Sequence, residues 1–264
     1  MCEKDSPRGG ALIVNADDWG RNCENTDRTL ECIDCGAVSS VSAMVFMKDS
    51  MRATEIARER GIDAGLHLNF TTAFSGEGCP AALKEHHERV SGYLRGHKFA
   101  QVVFHPGLTR SFQYLVEAQR DEFSRLFGEE PKRLDGHHHM HLCANLLLGG
   151  LLPTGTIIRR NFTFLKTEKS WPNRVYRDFV DRALVRRHCT TDFFFSLTPL
   201  QPERIQRIAS LAHQYVVEVE THPVNSDEYR LLAGGDIYRW SGSVPIAPRF
   251  ALEAREIGGL HSEA

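Results

Sequence analysis

The feature that most constrains this chain is an alternation of two periodicities. Short apolar runs at residues 11–16 (ALIVNA), 37–46, 63–70, 133–139, 156–161 and 215–222 read as strands. Between them lie segments with helical spacing, such as 50–61, which starts on a Ser cap and stops at Gly61, and 111–128. A β/α succession of this kind requires parallel strands joined by crossover helices, so the chain folds as an open doubly wound sheet or as a barrel. Periodicity alone does not choose between the two. The stretches 72–108 and 223–248, rich in Gly, Pro, Ser and His, read as long loops over one face. With 264 residues and 41% hydrophobic content the chain can bury one full core. We therefore expect one domain over 1–264, with residues 1–10 as a disordered N-terminus.

Charge and cysteine usage remove several classes of partner. The 32 basic and 34 acidic residues leave a formal charge of -2, so no basic field is available to hold a phosphodiester backbone, and no nucleic-acid partner is expected. No run approaches the roughly 18 apolar residues needed to cross a bilayer, and the N-terminus is polar, which argues for a soluble cytoplasmic protein with no transmembrane segment. Seven scattered cysteines fit a reducing compartment. Cys32 and Cys35 form a CxxC in a stretch that reads as a short helix ending at Gly36; no second CxxC or nearby His cluster completes a zinc site, so packing is the favoured role.

The chemistry collects where strands stop. Asp17 and Asp18 end the first strand, His67 lies near the end of the third, Asp135 and the run His137, His138, His139 with His141 end another, and His222 ends the last. In parallel α/β folds functional groups gather at this C-terminal edge. Each group alone has an ordinary alternative: adjacent aspartates serve turns and caps, His67 can be a hydrogen-bonded core histidine, and His222 before Pro223 can be a loop residue. The HHHMH cluster is different, because four imidazoles in five residues point to metal binding. One Asp and two His make a facial set for a divalent cation with positions left for water and substrate. The second Asp then acts as the base that takes a proton from water.

The motifs NADDWG (15–20), GLHLNFT (65–71), LDGHHHMH (134–141) and ETHP (220–223), in this order and at these separations, resemble the carbohydrate deacetylases of the YdjC type, also called the ChbG and HpnK group. The resemblance covers about residues 11–223. It implies an α/β fold, a distorted (β/α) barrel of mainly parallel strands. It also implies a metal-dependent hydrolase that removes the acetyl group from an N-acetylated sugar: an oligosaccharide, a glycolipid or a glycan intermediate. Carried over by motif, Asp18, His67 and His137 bind one divalent ion, magnesium or zinc, Asp17 is the general base and His222 the general acid. His139, with His141, lies past the ligand and touches sugar hydroxyls or supports the site. Arg159 or the neighbouring Arg160 matches an arginine that the family places where it orients the base. The segment 145–161 is short and Gly-broken for the helix the family has there. A phosphoesterase using the same ligands and a non-catalytic sugar-binding protein are the alternative readings, and a homo-oligomer is compatible with either.

Overall fold

Each apolar run contains a parallel strand, and a seventh strand joins them. A computed structural model describes residues 10–97, 99–164, 171–242 and 244–250, so all but the last residue of the N-terminus expected to be disordered lies outside the described residues. The strands are β1 (Ala11–Trp19), β2 (Ser40–Ala43), β3 (Ala64–Leu68), β4 (Arg133–Gly136), β5 (Ile157–Ile158), β6 (Phe193–Ser196) and β7 (Val216–Thr221). They form one parallel sheet in the order β5-β4-β3-β2-β1-β7-β6. The two ends of this sheet meet: Ile157 pairs with Cys189 in a parallel bridge, and the Thr163 N–H donates to the Phe194 carbonyl at 2.6 Å. The sheet is thus curled into a distorted, incompletely closed barrel, which decides between the open sheet and the barrel that periodicity left undivided.

Helices α1 (Cys23–Asp34), α2 (Ser50–Arg60) and α4 (Thr109–Phe127) are crossovers in the expected places, α7 (Pro202–Leu211) is a further crossover, and Gly61 and Gly128 end α2 and α4 in the left-handed region. Ser50 is the first residue of α2 and not its cap; its hydroxyl donates to the Met44 carbonyl, and Asp49 precedes it. Cys32 is buried on α1, in agreement with packing, whereas Cys35 lies exposed just past it.

Two regions read as loops contain helices. The first holds α3 (Ala81–Gly96), whose buried face runs Leu83, His87, Val90, Ser91, Leu94; His and Ser on the inward stripe mask its period. The second holds α8 (Ser226–Ala233) and α9 (Asp236–Ser241). The expected strand 133–139 stops at Gly136, because His137–Leu142 turns into a tight 3-10 segment with His138 and His139 at φ 55° and 56°. The broken segment after it forms only a one-and-a-half-turn helix, α5 (Ala144–Gly149), and α6 (Trp171–Leu184) follows β5.

The strand pleat sorts the two faces of the barrel. Outward residues such as Val14, Ala16, Val41, Ala43, Leu66, Leu68, Leu134, Val217 and Val219 pack under the helices in the main core with Phe112, Leu115 and Phe123. Each buried Val, Leu or Phe among them contributes about 1.5–3 kcal/mol relative to exposure. The inner face is graded. Ile13, Ile157, Val216 and Phe250 close the bottom. Above them the interior turns polar, with Asn15, Arg133, Glu218 and Ser40, and then Asp17, Ser42, Asp135, Arg159 and Glu220, all buried. A barrel of this kind ordinarily fills its interior with branched apolar side chains. Here it is filled with charge.

Candidate metal centre and active site

The adjacent aspartates face one site because β1 is bulged. Ala16 pairs with Val41 but Trp19 with Ala43, so β1 carries one residue more than β2 across this interval, and Asp18 sits at φ 65°. In a regular strand Asp17 and Asp18 would point to opposite faces; the extra residue turns both carboxylates toward the interior. Asp tolerates this left-handed conformation better than a branched residue would.

Asp18 turns its two oxygens to different partners. Oδ2 accepts from Arg21 Nη1 at 2.8 Å, while Oδ1 lies 2.9 Å from His137 Nδ1 and 3.5 Å from His67 Nε2. The carboxyl pKa is lowered: burial opposes ionisation, but the hydrogen bond to His137 and the charges of the His67 and His137 rings and of Arg21 outweigh it. His67 comes from β3 and pairs in register with Asp135 on β4. Its Nδ1 stands 2.7 Å from Asp135 Oδ1, which directs Nε2 at the site. A carboxylate behind an imidazole in this way fixes the tautomer a metal requires. Burial lowers the His67 pKa, but Asp17 and Asp135 raise it further, so the net shift is upward.

The donor set passes a test for a cation. One ligand atom each from Asp18, His67 and His137 can be chosen so that all lie within 4.8 Å of one another, and all three residues are buried. His67 Nε2 and His137 Nε2 have no hydrogen-bond partner within the protein, and Asp18 Oδ1 faces the two imidazoles. Buried polar atoms are nearly always satisfied, so unpartnered imidazole nitrogens beside a buried carboxylate are what a cation site would present. One carboxylate and two imidazoles are a donor set that could hold a divalent cation.

Asp17 is held quite differently. Arg159 Nη1 and Nη2 donate to its two oxygens at 2.7 and 2.8 Å, and Asn15 Nδ2 adds a bond to Oδ1 at 2.9 Å. Arg159 follows β5 and is fully buried, donating also to Glu218 at 2.7 Å and pairing with Asp135 at 2.7 Å. Burial raises the Asp17 pKa, but Arg159 first and His67 second pull it well below the usual carboxylate range. The ambiguity between the two arginines is resolved by position: Arg160 turns the other way, to Asp181 at 2.7 Å.

The remaining candidates surround this pair. Atoms of Asp17, Glu220 and His222 also lie within 4.8 Å of one another. His139 stacks edge-on against Phe162, with ring centroids 4.5 Å apart, and its Nε2 is 3.4 Å from Glu220 Oε2. Burial holds its pKa well below the ordinary value. His141 points away from the site, with Nε2 2.9 Å from the Arg159 carbonyl, and burial pushes its pKa down to about 4. It braces Arg159. His138 reaches Thr71 Oγ1 at 2.9 Å. The sequence reading passed over Glu218, Glu220 and Asn15; the period-2 spacing Glu218, Glu220, His222 was the available signal.

The curled parallel barrel carries a candidate Asp-His-His cation cluster with a second aspartate beside it, and comparisons with known proteins give its family. The family model described as YdjC-like protein matches residues 11–240, and the chain belongs to that family. It is similar to a carbohydrate deacetylase of Mus musculus, 31% identical over 137 residues that make up 50% of this chain and 43% of that protein. A chitooligosaccharide deacetylase of Serratia marcescens is 31% identical over 50% of each chain. The matches thus span about half the length of these relatives or less. A chitooligosaccharide deacetylase of Yersinia pestis aligns more fully, at 27% identity over 84% of this chain and 85% of its own. Among solved structures, an Enterococcus faecalis V583 protein assigned to cellobiose-phosphate cleavage superposes with a TM-score of 0.62 at 18% identity, covering 92% of this chain and 98% of that one, and shares the fold. No helix among the described residues is long and apolar enough to cross a membrane.

Proposed function

We propose that the chain is a metal-dependent carbohydrate N-deacetylase that hydrolyses the acetamide of an N-acetylated sugar to acetate and a free amine. The observation that carries this reading is the division of the two aspartates: Asp18 faces two imidazoles whose Nε2 atoms lack partners, while Asp17 is gripped by Arg159. The relatives' names support a carbohydrate substrate. The described cysteines are all unpaired, which supports a reducing, cytoplasmic setting.

Asp18, His67 and His137 would hold the ion. When bound, it supplies Lewis acidity to the acetyl carbonyl and to the attacking water. The chain's own groups move the protons. Asp17 takes one from the water on a carboxylate oxygen, and Arg159 and Asn15 fix the direction of that oxygen. A carboxylate held this low stays in its basic form through the neutral range. As the carbon–nitrogen bond breaks, His222 gives a proton to the departing nitrogen, so the sugar leaves as a neutral amine. The sugar ring, attached to that nitrogen, then lies on the His222 side of the pocket, within reach of His139.

Incubating the metal-loaded protein with N-acetylated sugars of increasing length, and following loss of an acetyl group by mass spectrometry, tests the reading. Acetate release by wild type and none by His67→Ala is the expected result. Turnover of phosphate esters without deacetylation would replace it with the phosphoesterase reading.

A further inference from the structure

The site contains one acid that neither the cation set nor the proton transfers use. Glu220 is 5% exposed and stands on the inner face of β7 between Glu218 and His222. Ion pairing does not explain its presence. Arg159 spends its normal-length contacts on Glu218 at 2.7 Å, on Asp17 at 2.7 and 2.8 Å and on Asp135 at 2.7 Å, and reaches Glu220 only at 3.4 Å. Burying a further carboxyl beside Asp17 with only long contacts disfavours the folded state. A glutamine would fill the same space at smaller cost, so the fold alone does not account for the acid.

The other close neighbour of Glu220 Oε2 is His139 Nε2, also at 3.4 Å. His139 is itself placed at a cost. Its backbone lies in the left-handed region at φ 56°, directly after His138 at φ 55°, a conformation that non-glycine residues adopt only where the surroundings impose it. Its ring is fixed edge-on by Phe162 and Phe194, with centroids at 4.5 and 5.9 Å, and its Nδ1 is buried without a partner. A strained histidine with one free nitrogen, next to an under-bonded acid, lies on the flank of Asp17 and His222 where the sugar ring belongs. Long hydrogen bonds in a substrate-free site tighten when substrate arrives.

We propose that Glu220 is a positioning residue that fixes the His139 ring, so that the two act as one unit in binding a hydroxyl of the sugar. This rests on the deacetylase reading. The pair contributes to substrate binding and takes no part in the proton transfers, which belong to Asp17 and His222.

Steady-state acetate release tests it with Glu220→Ala, Glu220→Gln, His139→Ala and the Glu220→Ala/His139→Ala double variant, each checked by thermal unfolding. Either alanine variant is expected to raise KM about 10-fold to 100-fold with kcat changed less than about 3-fold, the usual effect of losing hydrogen bonds to a substrate hydroxyl. The double variant is expected to be no worse than the poorer single one, since the two residues serve one contact. Glu220→Gln, which keeps the shape and can still bond the ring, should restore KM to within about 5-fold and should unfold at no lower temperature than wild type. Multiplicative losses in the double variant, a fall in kcat at constant KM, or destabilisation by Glu220→Gln would each overturn the proposal. Absence of acetate release from wild type on every sugar would instead remove the deacetylase reading on which it stands.

Discussion

The middle and the rim of the barrel interior are built from the same residue types and differ in what their partners leave over. In the middle, Arg159 gathers Asp17, Asp135 and Glu218 at 2.7–2.8 Å, and Asn15 and Ser42 close the gaps between strands. The unsatisfied atoms there, such as Glu218 Oε2 and Arg133 Nε, belong to groups bonded through their other atoms. At the rim, ligand atoms of Asp18, His67 and His137 lie within 4.8 Å of one another, and the Nε2 atoms of both imidazoles lack a partner. The first arrangement orients its charges; the second is one that a cation would complete. The two aspartates of β1 fall on opposite sides of this division although they are adjacent in the chain.

The sharpest way to break the contrast is to remove a rim imidazole. His67→Ala or His137→Ala should abolish most divalent-metal binding, measured by elemental analysis after dialysis, and nearly all activity, since two protein ligands remain. Undiminished metal content in both variants would remove the rim site. In the middle the largest effect should be on stability. Arg159→Met leaves Asp17, Asp135 and Glu218 buried without their cation and should cost about 3–5 kcal/mol in denaturant unfolding. Arg160→Met, next door but partly exposed on Asp181, should cost no more than about 1 kcal/mol. Equal losses would show that Arg159 is no hub.

A smaller effect comes from His141, which braces the Arg159 carbonyl. Burial lowers its folded pKa to about 4, against about 6.5 when unfolded. The unfolded chain therefore binds more protons between these values, so stability is full above about pH 6.5 and falls as pH drops toward 4. The loss is on the order of 3 kcal/mol. His141→Gln, which can still donate to that carbonyl, should flatten this part of the stability profile. An unchanged slope would place the titration elsewhere. The lowered pKa values of Asp17 and Asp135 act with the same sign in a separate, more acidic window.

Much of the rim was legible in the sequence because strand ends are where a parallel sheet presents its chemistry, and Asp18, His67 and His137 each end a strand or follow it directly. The bulge was not legible. A repeat of two places Asp17 and Asp18 on opposite faces, and only the shifted pairing of β1 with β2 shows that both turn inward. The middle layer was hidden for a related reason: Glu218 and Glu220 lie in VVEVETH, where alternation with valine resembles a strand with one solvated face. Closure into a barrel turns that polar face inward. β6 was missed because FFFS is four residues long and carries no alternation, and its place is fixed by pairing with β7 and not by local pattern.

The division of labour between Asp17 and Asp18 is tested most directly by titrating zinc or magnesium into Asp17→Asn and Asp18→Asn by calorimetry, with deacetylation rates measured on the same samples. Asp17→Asn should bind the ion within about 3-fold of wild type and lose roughly 100-fold to 10,000-fold in rate, the usual worth of a general base. Asp18→Asn should lose the ion itself, with affinity down at least about 100-fold and rate recovering as metal is raised. Loss of the ion in Asp17→Asn with full affinity in Asp18→Asn would exchange the two roles and contradict the reading of the site.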